Sequence, residues 1–526
     1  MIKNKSGVKG LSPFYTWVWK IRKILLILFV ASFFLFYKIN KPFIGHHDYN
    51  GAVAGVVARN YLANIGHLLK IRQWQSIDNI YYKTIIFYPH YPPLSFLLFT
   101  LSGMVFGVNE VSLRLVTVVF SLIMVFFIYK IGERLYNKNT GILASFLAIV
   151  TPMFIYFGKT PDHEPILAPL CTASFYFYLT LNDRKNRSNT PFFIFLALAL
   201  LESWASYFFL LFLLVHAILY KWVSRKVAII MIGIAASVII LQLLLIFFFQ
   251  GPTSILGVLQ YGLYRMNGNP SISITNFTLR QFTVTEIRYV IIYFTRILTG
   301  LSLLWLASCL FYWRKGSRDL RKFLIILFLY PLTFTLIFRN LMYIHDFKLY
   351  LFLPFIAISS ASVLIKFLKG GIVFLPKSLM RQNWRYIQSI ILTTVVIVVY
   401  MERIPYLKTL LLSSFDSPGY ELGSLIRSRT GVSESVLLNS KEFGDFYKVF
   451  IDYYANRKII TQDITFRDYE DNRYKYEGYH FIILVYGRPV DKNIESYLLK
   501  NYSYEKTGPY TFVDISNNSP PDNKNI

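Results

Sequence analysis

The chain is almost without cysteine: Cys171 and Cys309 are the two in 526 residues, and both sit inside apolar runs. That excludes a disulfide framework and leaves no spacing for a structural metal. Acids are also scarce, 28 Asp and Glu against 55 Lys and Arg, for a net charge of +27. Such an excess suits either a nucleic-acid binder or a membrane protein with basic inner loops, and its distribution decides between them. The first apolar run, Ile24 to Tyr37, is followed by Lys38, Asn40, Lys41 and Pro42 with no small-residue cleavage site. It is expected to be an uncleaved anchor. An internal repeat, the mark of many transporters, is not visible.

What the chain does have is apolar residues, 55% of the total, with 18% aromatic. They are gathered into runs, the longest from Val227 to Phe249. About 20 apolar residues in a helix cross a bilayer. The fold class expected is therefore an α-helical polytopic membrane protein. Residues 1–23 carry Lys3, Lys5, Lys9, Lys20, Arg22 and Lys23 and no acid, so this end is expected in the cytoplasm. The segment 92–106 decides the rest. If it spans fully, the loops around 130–138, 182–187, 221–226, 314–322 and 366–385, with 19 Lys and Arg, face outward. If it lies at the interface, all 19 face inward, and the opposite turns hold five: Lys159, Arg265, Arg280, Arg288 and Lys348. The positive-inside rule selects the second arrangement. Spans are then expected near 24–38, 111–130, 141–158, 164–181, 191–202, 204–221, 227–249, 288–313, 323–341, 347–368 and 387–404. That is about 11, with the C-terminus outside and residues 41–91 as the first external loop.

Beyond residue 404 the character changes. Residues 405–526 hold 15 Lys and Arg and 16 Asp and Glu, so the basic excess belongs to the membrane part and nucleic acid is not a partner. Short β-like runs at 435–440, 458–462 and 480–486 alternate with helical patterns at 420–429, 443–454 and 491–500. A small external α/β domain over 405–516 is expected, with a polar, disordered tail over 517–526.

The arrangement gathers the unusual polar residues on the outer side: Asp48 after the first span, Asp162 and Glu164, Glu202, and His345 with Asp346. Acids at the edge of apolar helices are functional candidates. Each also has a structural reading. Asp162 and Glu164 suit a helix start, and His345 and Asp346 suit a loop anchor. His46 and His47 flank Asp48, but adjacent side chains of an extended segment point apart. No metal or other cofactor is indicated, although a divalent ion is left open.

In order along the chain stand His47-Asp48-Tyr49-Asn50-Gly51-Ala52, then Ala58-Arg59-Asn60-Tyr61-Leu62, then His90-Tyr91-Pro92-Pro93-Leu94. Glu110 and Arg114 follow, then Pro152 to Lys159 running into His163-Glu164-Pro165, then His345-Asp346 before Tyr350 and Pro354. This series, over roughly residues 20–370, resembles the GT-C membrane glycosyltransferases. It is most similar to family 39: protein O-mannosyltransferases, the aminoarabinose transferases of lipid A, and the RgtA/B/C/D-like group. Two departures, Tyr49 where many relatives have a second acid and Tyr91 between His90 and Pro92, weigh against a protein acceptor.

The resemblance implies a GT-C domain over 24–404 in the plasma membrane, with an extracytoplasmic site. It implies a polyprenyl-phosphate-linked sugar as donor, a lipid, glycan or protein as acceptor, and inversion at the anomeric carbon. Asp48 would be the catalytic base. Arg59, Lys83, His90, Lys159, Arg265 and His345 are candidate cations for the leaving phosphate. Asp162, Glu164 and Asp346 complete the candidate substrate-binding set. Trp74, Tyr81 and Tyr82 could line a sugar site. A monophosphate donor does not oblige a metal. Other classes remain open: a transporter or flippase, or a polysaccharide polymerase or ligase using a diphosphate-linked donor.

Overall fold

The structure, a computed structural model, describes residues 13–64, 91–183, 188–267, 277–312, 320–370, 377–476, 478–488 and 491–516. The expectations for residues 1–12, for Trp74, Tyr81, Tyr82, Lys83 and His90, and for the tail 517–526 fall outside them.

Helices dominate. In chain order they are α1 (Pro13–Phe36), α2 (Tyr49–Asn64), α3 (Leu94–Phe106), α4 (Glu110–Leu135), α5 (Lys138–Ile149), α6 (Glu164–Thr180), α7 (Thr190–Leu200) and α8 (Ala205–Tyr220). Next come α9 (Arg225–Gln250), α10 (Thr253–Asn267), α11 (Leu279–Tyr312), α12 (Ile326–Ile337), α13 (Arg339–Ile344), α14 (Leu353–Gly370), α15 (Lys377–Glu402) and α16 (Ile404–Leu412). The C-terminal part adds α17 (Ser417–Arg429), β1 (Ser435–Asn439), α18 (Lys441–Ala455), β2 (Lys458–Thr461), α19 (Phe466–Asp471), α20 (Arg473–Tyr476), β3 (Phe481–Val485), α21 (Lys492–Asn501), β4 (Ser503–Thr507) and β5 (Tyr510–Asp514).

The chain forms two compact units. The first comprises Met1–Ile39, His90–Ser95 and Arg114–Leu411. Its helices are apolar on most faces, as in membrane bundles. Every span expected from the sequence meets a helix. Among the described residues, four helical segments are long and apolar enough to cross a membrane: Glu110–Leu135, Arg225–Phe248, Leu279–Cys309 and Asp346–Lys369. Leu94–Phe106, Thr190–Leu200, Ala205–Tyr220 and Phe323–Ile337 are apolar but shorter. The expected span 141–158 is interrupted: α5 stops at Ile149, Pro152 follows, and Met153–Phe157 form a π-helical turn. Proline cannot donate into a helix that would run through it, and π turns frequently mark functional sites. Inside the bundle α14 packs against both α5 and α11, α6 against α7, and α8 against α12.

Two elements depart from expectation. Residues 251–288, between the spans expected at 227–249 and 288–313, contain α10, set off from α9 by Gly251 at φ 87° and by Pro252. And α11 is broken at Thr295, whose φ of 69° lies where a β-branched residue is strained.

The second unit comprises Asn40–Pro89, Phe96–Leu113 and Leu412–Ile526. Its sheet runs β2-β1-β3-β5-β4. β1 pairs parallel with β2 and β3, and β5 pairs antiparallel with β3 and β4. The three parallel strands are the three apolar runs of the sequence. One face buries Val436, Leu438, Ile459 and Ile483 with Leu422 and Ile451; the other buries Leu437, Ile482 and Leu484 with Tyr469 and Leu498. The hairpin β4–β5 was not expected. β4 carries Glu505 and Lys506 on an exposed edge, so its composition hides it, although Gly508-Pro509 was a usable turn signal.

Helix α2 was also not expected, and it carries the opening candidate at its head. It packs on α18, with Gly55 at the crossing. A Cβ there would overlap the Tyr453 ring and approach Leu113 Cδ1 to 3.2 Å. Gly55→Ala is therefore expected to lower stability by about 1–3 kcal/mol, outweighing the ~1 kcal/mol of helix propensity that alanine adds. Thermal unfolding of the full chain in detergent measures this.

Candidate active site

The second unit presents Asp48 from a tight turn. Residues 45–48 are not extended. His47 takes φ 59°, and the His46 and His47 rings lie 4.1 Å apart. The expectation that these side chains point apart is corrected by that turn. Asp48 is 5% exposed. Its Oδ2 accepts the N–H of Gly45 at 2.8 Å and that of Ile44 at 3.2 Å, and its own N–H donates to Gly45 O at 3.1 Å. Its carbonyl accepts the Ala52 N–H, the first bond of α2. The carboxylate is therefore fixed at the positive end of a helix dipole, a setting that favours negative charge.

Arg59, further along α2, is committed to α18. Its Nη1 donates to Tyr453 O, and its guanidinium lies 4.5 Å from the Tyr453 ring centre. On α18 the neighbouring Tyr454 hydroxyl accepts the Phe43 N–H at 2.6 Å and donates to Glu110 at 2.8 Å. Arg59 and Glu110, both in the motif series, thus dock α2 and the chain around it onto the C-terminal part.

The first unit brings the other candidates together in two adjoining groups. Asp162, His163 and Glu164 lie at the start of α6 and are buried. Asp162 Oδ1 accepts the His163 N–H at 2.7 Å. Glu164 Oε1 is paired with Lys348 Nζ, and both side chains are at most 3% exposed. The Lys348 ammonium also lies 5.5 Å from the Tyr91 ring and 4.9 Å from the Phe347 ring. Tyr91 stacks on His163, centroids 4.1 Å apart. His163 Nδ1 meets Ser95 Oγ at 3.0 Å and Glu202 Oε1 at 2.8 Å. Burial pushes the His163 imidazole down to about 3, with the Lys348 charge adding to it. With the imidazole uncharged, its contact with Glu202 is a hydrogen bond and not an ion pair. Lys159 donates to the Tyr37 carbonyl at the end of α1.

The second group surrounds His345 and Asp346. His345 Nε2 meets Arg265 Nη1 of α10 at 3.4 Å. Arg265 also donates to Tyr261, and its Nε is buried without a partner among the described residues. Asp346 accepts from Tyr293, whose hydroxyl also meets that of Tyr406 at 3.0 Å. Tyr293 precedes the break at Thr295. Glu286, in the first part of α11, is 8% exposed, and neither of its carboxyl oxygens has a partner among the described residues. The Tyr91 hydroxyl feels the charges of Lys348, Glu164, Arg265 and Asp162, so the two groups adjoin.

Sequence reasoning passed over Glu286, Lys348 and Tyr293. The first two had a signal, an ionisable residue within an apolar segment. Tyr293 in an apolar helix reads as core.

The fold is that of the GT-C membrane glycosyltransferases. Residues 90–248 match the family model of dolichyl-phosphate-mannose-protein mannosyltransferases. Among solved structures, ArnT of Cupriavidus metallidurans, solved with undecaprenyl phosphate bound, superposes with a TM-score of 0.61 at 11% identity, over 96% of this chain and 98% of that one. AglB, the archaeal oligosaccharyltransferase of Archaeoglobus fulgidus, solved with an inhibitory peptide and a dolichol-phosphate, superposes with a TM-score of 0.53 at 14% identity, over 96% of this chain and 75% of that one. No curated protein sequence matches the chain. Family match and fold together support a GT-C glycosyltransferase similar to family 39, an integral membrane protein.

Proposed function

We propose that the protein moves a sugar from a polyprenyl-phosphate donor to an external lipid, glycan or protein acceptor, with inversion. The observation that carries this reading is the GT-C fold, shared along nearly the whole chain with a protein solved with undecaprenyl phosphate bound. Asp48 takes the proton from the acceptor hydroxyl as that oxygen attacks the anomeric carbon. The bond from that carbon to the phosphate oxygen breaks on the opposite face, and the polyprenyl phosphate leaves with the electron pair. Arg265 and His345 answer the charge on that phosphate, since guanidinium geometry suits phosphate oxygens. Glu164, Asp162, Asp346 and Glu286 orient sugar or acceptor hydroxyls.

For orientation we propose eleven crossings, the N-terminus in the cytoplasm, and the site and the 405–516 domain outside, because the five loops with 19 basic residues then face inward while the opposite turns between spans, with five, face outward. A reporter fused after Lys138 is expected to read cytoplasmic; a periplasmic reading overturns this orientation.

The reading is tested by supplying membranes that contain the protein with two panels of radiolabelled sugars, one linked to polyprenyl phosphate and one to polyprenyl diphosphate. Transfer from a monophosphate donor is expected; transfer only from diphosphate-linked donors would favour a polymerase or ligase. With the active donor, Arg265→Gln is expected to raise KM for the donor about 10-fold or more with a smaller change in kcat, the loss of one charged hydrogen bond worth roughly 1.5–3 kcal/mol. Steady-state kinetics against donor concentration measure it.

A further inference from the structure

Helix α10 has two unlike faces. At about 100° per residue, Leu256, Leu259 and Leu263 fall within about 60° of one another, and Arg265 lies about 180° from Leu256. The three leucines are 61%, 61% and 60% exposed. The opposite face is fastened within the first unit. Asn340 of α13 donates to the Tyr264 carbonyl at 3.2 Å, and Arg265 meets His345 at 3.4 Å. The guanidinium lies 4.7 Å from the Tyr261 ring centre. Arg265 is the single charged residue of the helix.

The leucine row continues one that already meets lipid. Helix α9 is long and apolar enough to cross a membrane, and it leaves Leu241, Leu244 and Phe248 exposed at the same i, i+3, i+7 spacing. Gly251 and Pro252 end it, and α10 starts beside it at Thr253. With 15 residues, α10 is shorter than the roughly 20 that a crossing needs. Exposed Gln260 and Gly257 flank the row on one side. An apolar row with a polar flank, at the outer end of a crossing, is the pattern of a helix that lies in the membrane plane.

We propose that α10 is an interfacial helix: its leucine row is seated in the outer leaflet of the bilayer, and that seat holds Arg265 at the depth of a lipid-linked phosphate. This rests on the orientation given above and on the reading of Arg265 as a phosphate ligand. A phosphate between an apolar tail and a polar sugar must lie at the boundary of acyl chains and water. A helix whose leucines enter the acyl chains by about 5–10 Å presents its opposite face to that boundary. That face carries Arg265.

Depth is measured on the full-length protein in vesicles of phosphatidylethanolamine and phosphatidylglycerol. Cys309→Ser removes one thiol, and Cys171 is fully buried and takes no label. Spin labels are placed singly through Leu256→Cys, Leu259→Cys and Leu263→Cys. Gly257→Cys is the water-side control, where an added Cβ meets nothing within 4 Å. Labels at the leucine positions are expected to collide more with oxygen than with a water-soluble nickel chelate, at a depth of about 5–10 Å. The label at position 257 is expected to do the reverse. Leucine positions open to nickel overturn the proposal. So do leucine positions shielded from both reagents, the result expected of a second copy or another protein on that face.

Kinetics test the positioning. Leu256→Ser, Leu259→Ser and Leu263→Ser combined are expected to raise KM for the active radiolabelled donor about 10-fold, as for Arg265→Gln, with kcat little changed. Methionine at all three positions should keep the wild-type KM. Adding Arg265→Gln to the serine variant should raise KM no further, because the row acts through Arg265. An unmoved KM in the serine variant, or full additivity, overturns the positioning role. If Arg265→Gln leaves the donor KM unmoved, the phosphate reading fails, and the label depths still decide the seat.

Discussion

Asp48→Asn is expected to lower sugar transfer about 10²–10⁴-fold, the usual contribution of a positioned general base, without unfolding the protein. The substitution isolates one property. Asn keeps an oxygen that can accept the Gly45 and Ile44 N–H groups, now 2.8 and 3.2 Å from Asp48 Oδ2. The turn and the start of α2 should therefore persist, and what is lost is the capacity to take a proton. Asp48→Ala removes the acceptor too. It is expected to lose transfer to the same degree and about 1–3 kcal/mol of stability besides, the cost of leaving buried backbone donors unmet. Transfer assays paired with thermal unfolding separate the two variants. A wild-type rate in Asp48→Asn would remove Asp48 from the chemistry and leave it as a turn residue.

Why Asp48 stands out as a candidate in the sequence, and its surroundings do not, has a physical reason. A carboxylate beside a membrane-length apolar run is costly unless it serves something, so it stands out from composition alone. The long helices are legible in the same way, because an apolar run near bilayer length is what a membrane crossing requires and a water-soluble surface helix cannot tolerate. The parallel strands β1, β2 and β3 are legible because both faces of each are covered and their runs are continuous. The bond between Tyr293 and Asp346 is different: it exists only once distant parts of the chain meet. Backbone detail was hidden too: the positive φ of His47 breaks the alternation that an extended reading assumes. Helix α2 was hidden by the polar motif at its head, which has the composition of a loop, although Ala52, Ala54, Ala58 and Leu62 are strong helix formers.

Glu164 and Lys348 carry the largest expected effect on stability. Their ion pair is buried, with side chains 2% and 3% exposed. Glu164→Gln leaves the ammonium against Tyr91 and Phe347 without its counter-charge. Lys348→Met leaves a buried carboxylate whose Oε2 already has no partner among the described residues. Each single change is expected to lower stability by about 3–5 kcal/mol, while removing both together recovers most of that loss, because a buried pair is worth little against an apolar replacement. The stable double variant then asks the functional question. If the pair only holds α6 to the segment before α14, Glu164→Gln with Lys348→Met transfers sugar at the wild-type rate. If Glu164 orients a hydroxyl of sugar or acceptor, the double variant folds and transfers poorly. The second result is expected, since two acids and a cation crowded at a helix start are an expensive way to build a joint that leucines could make.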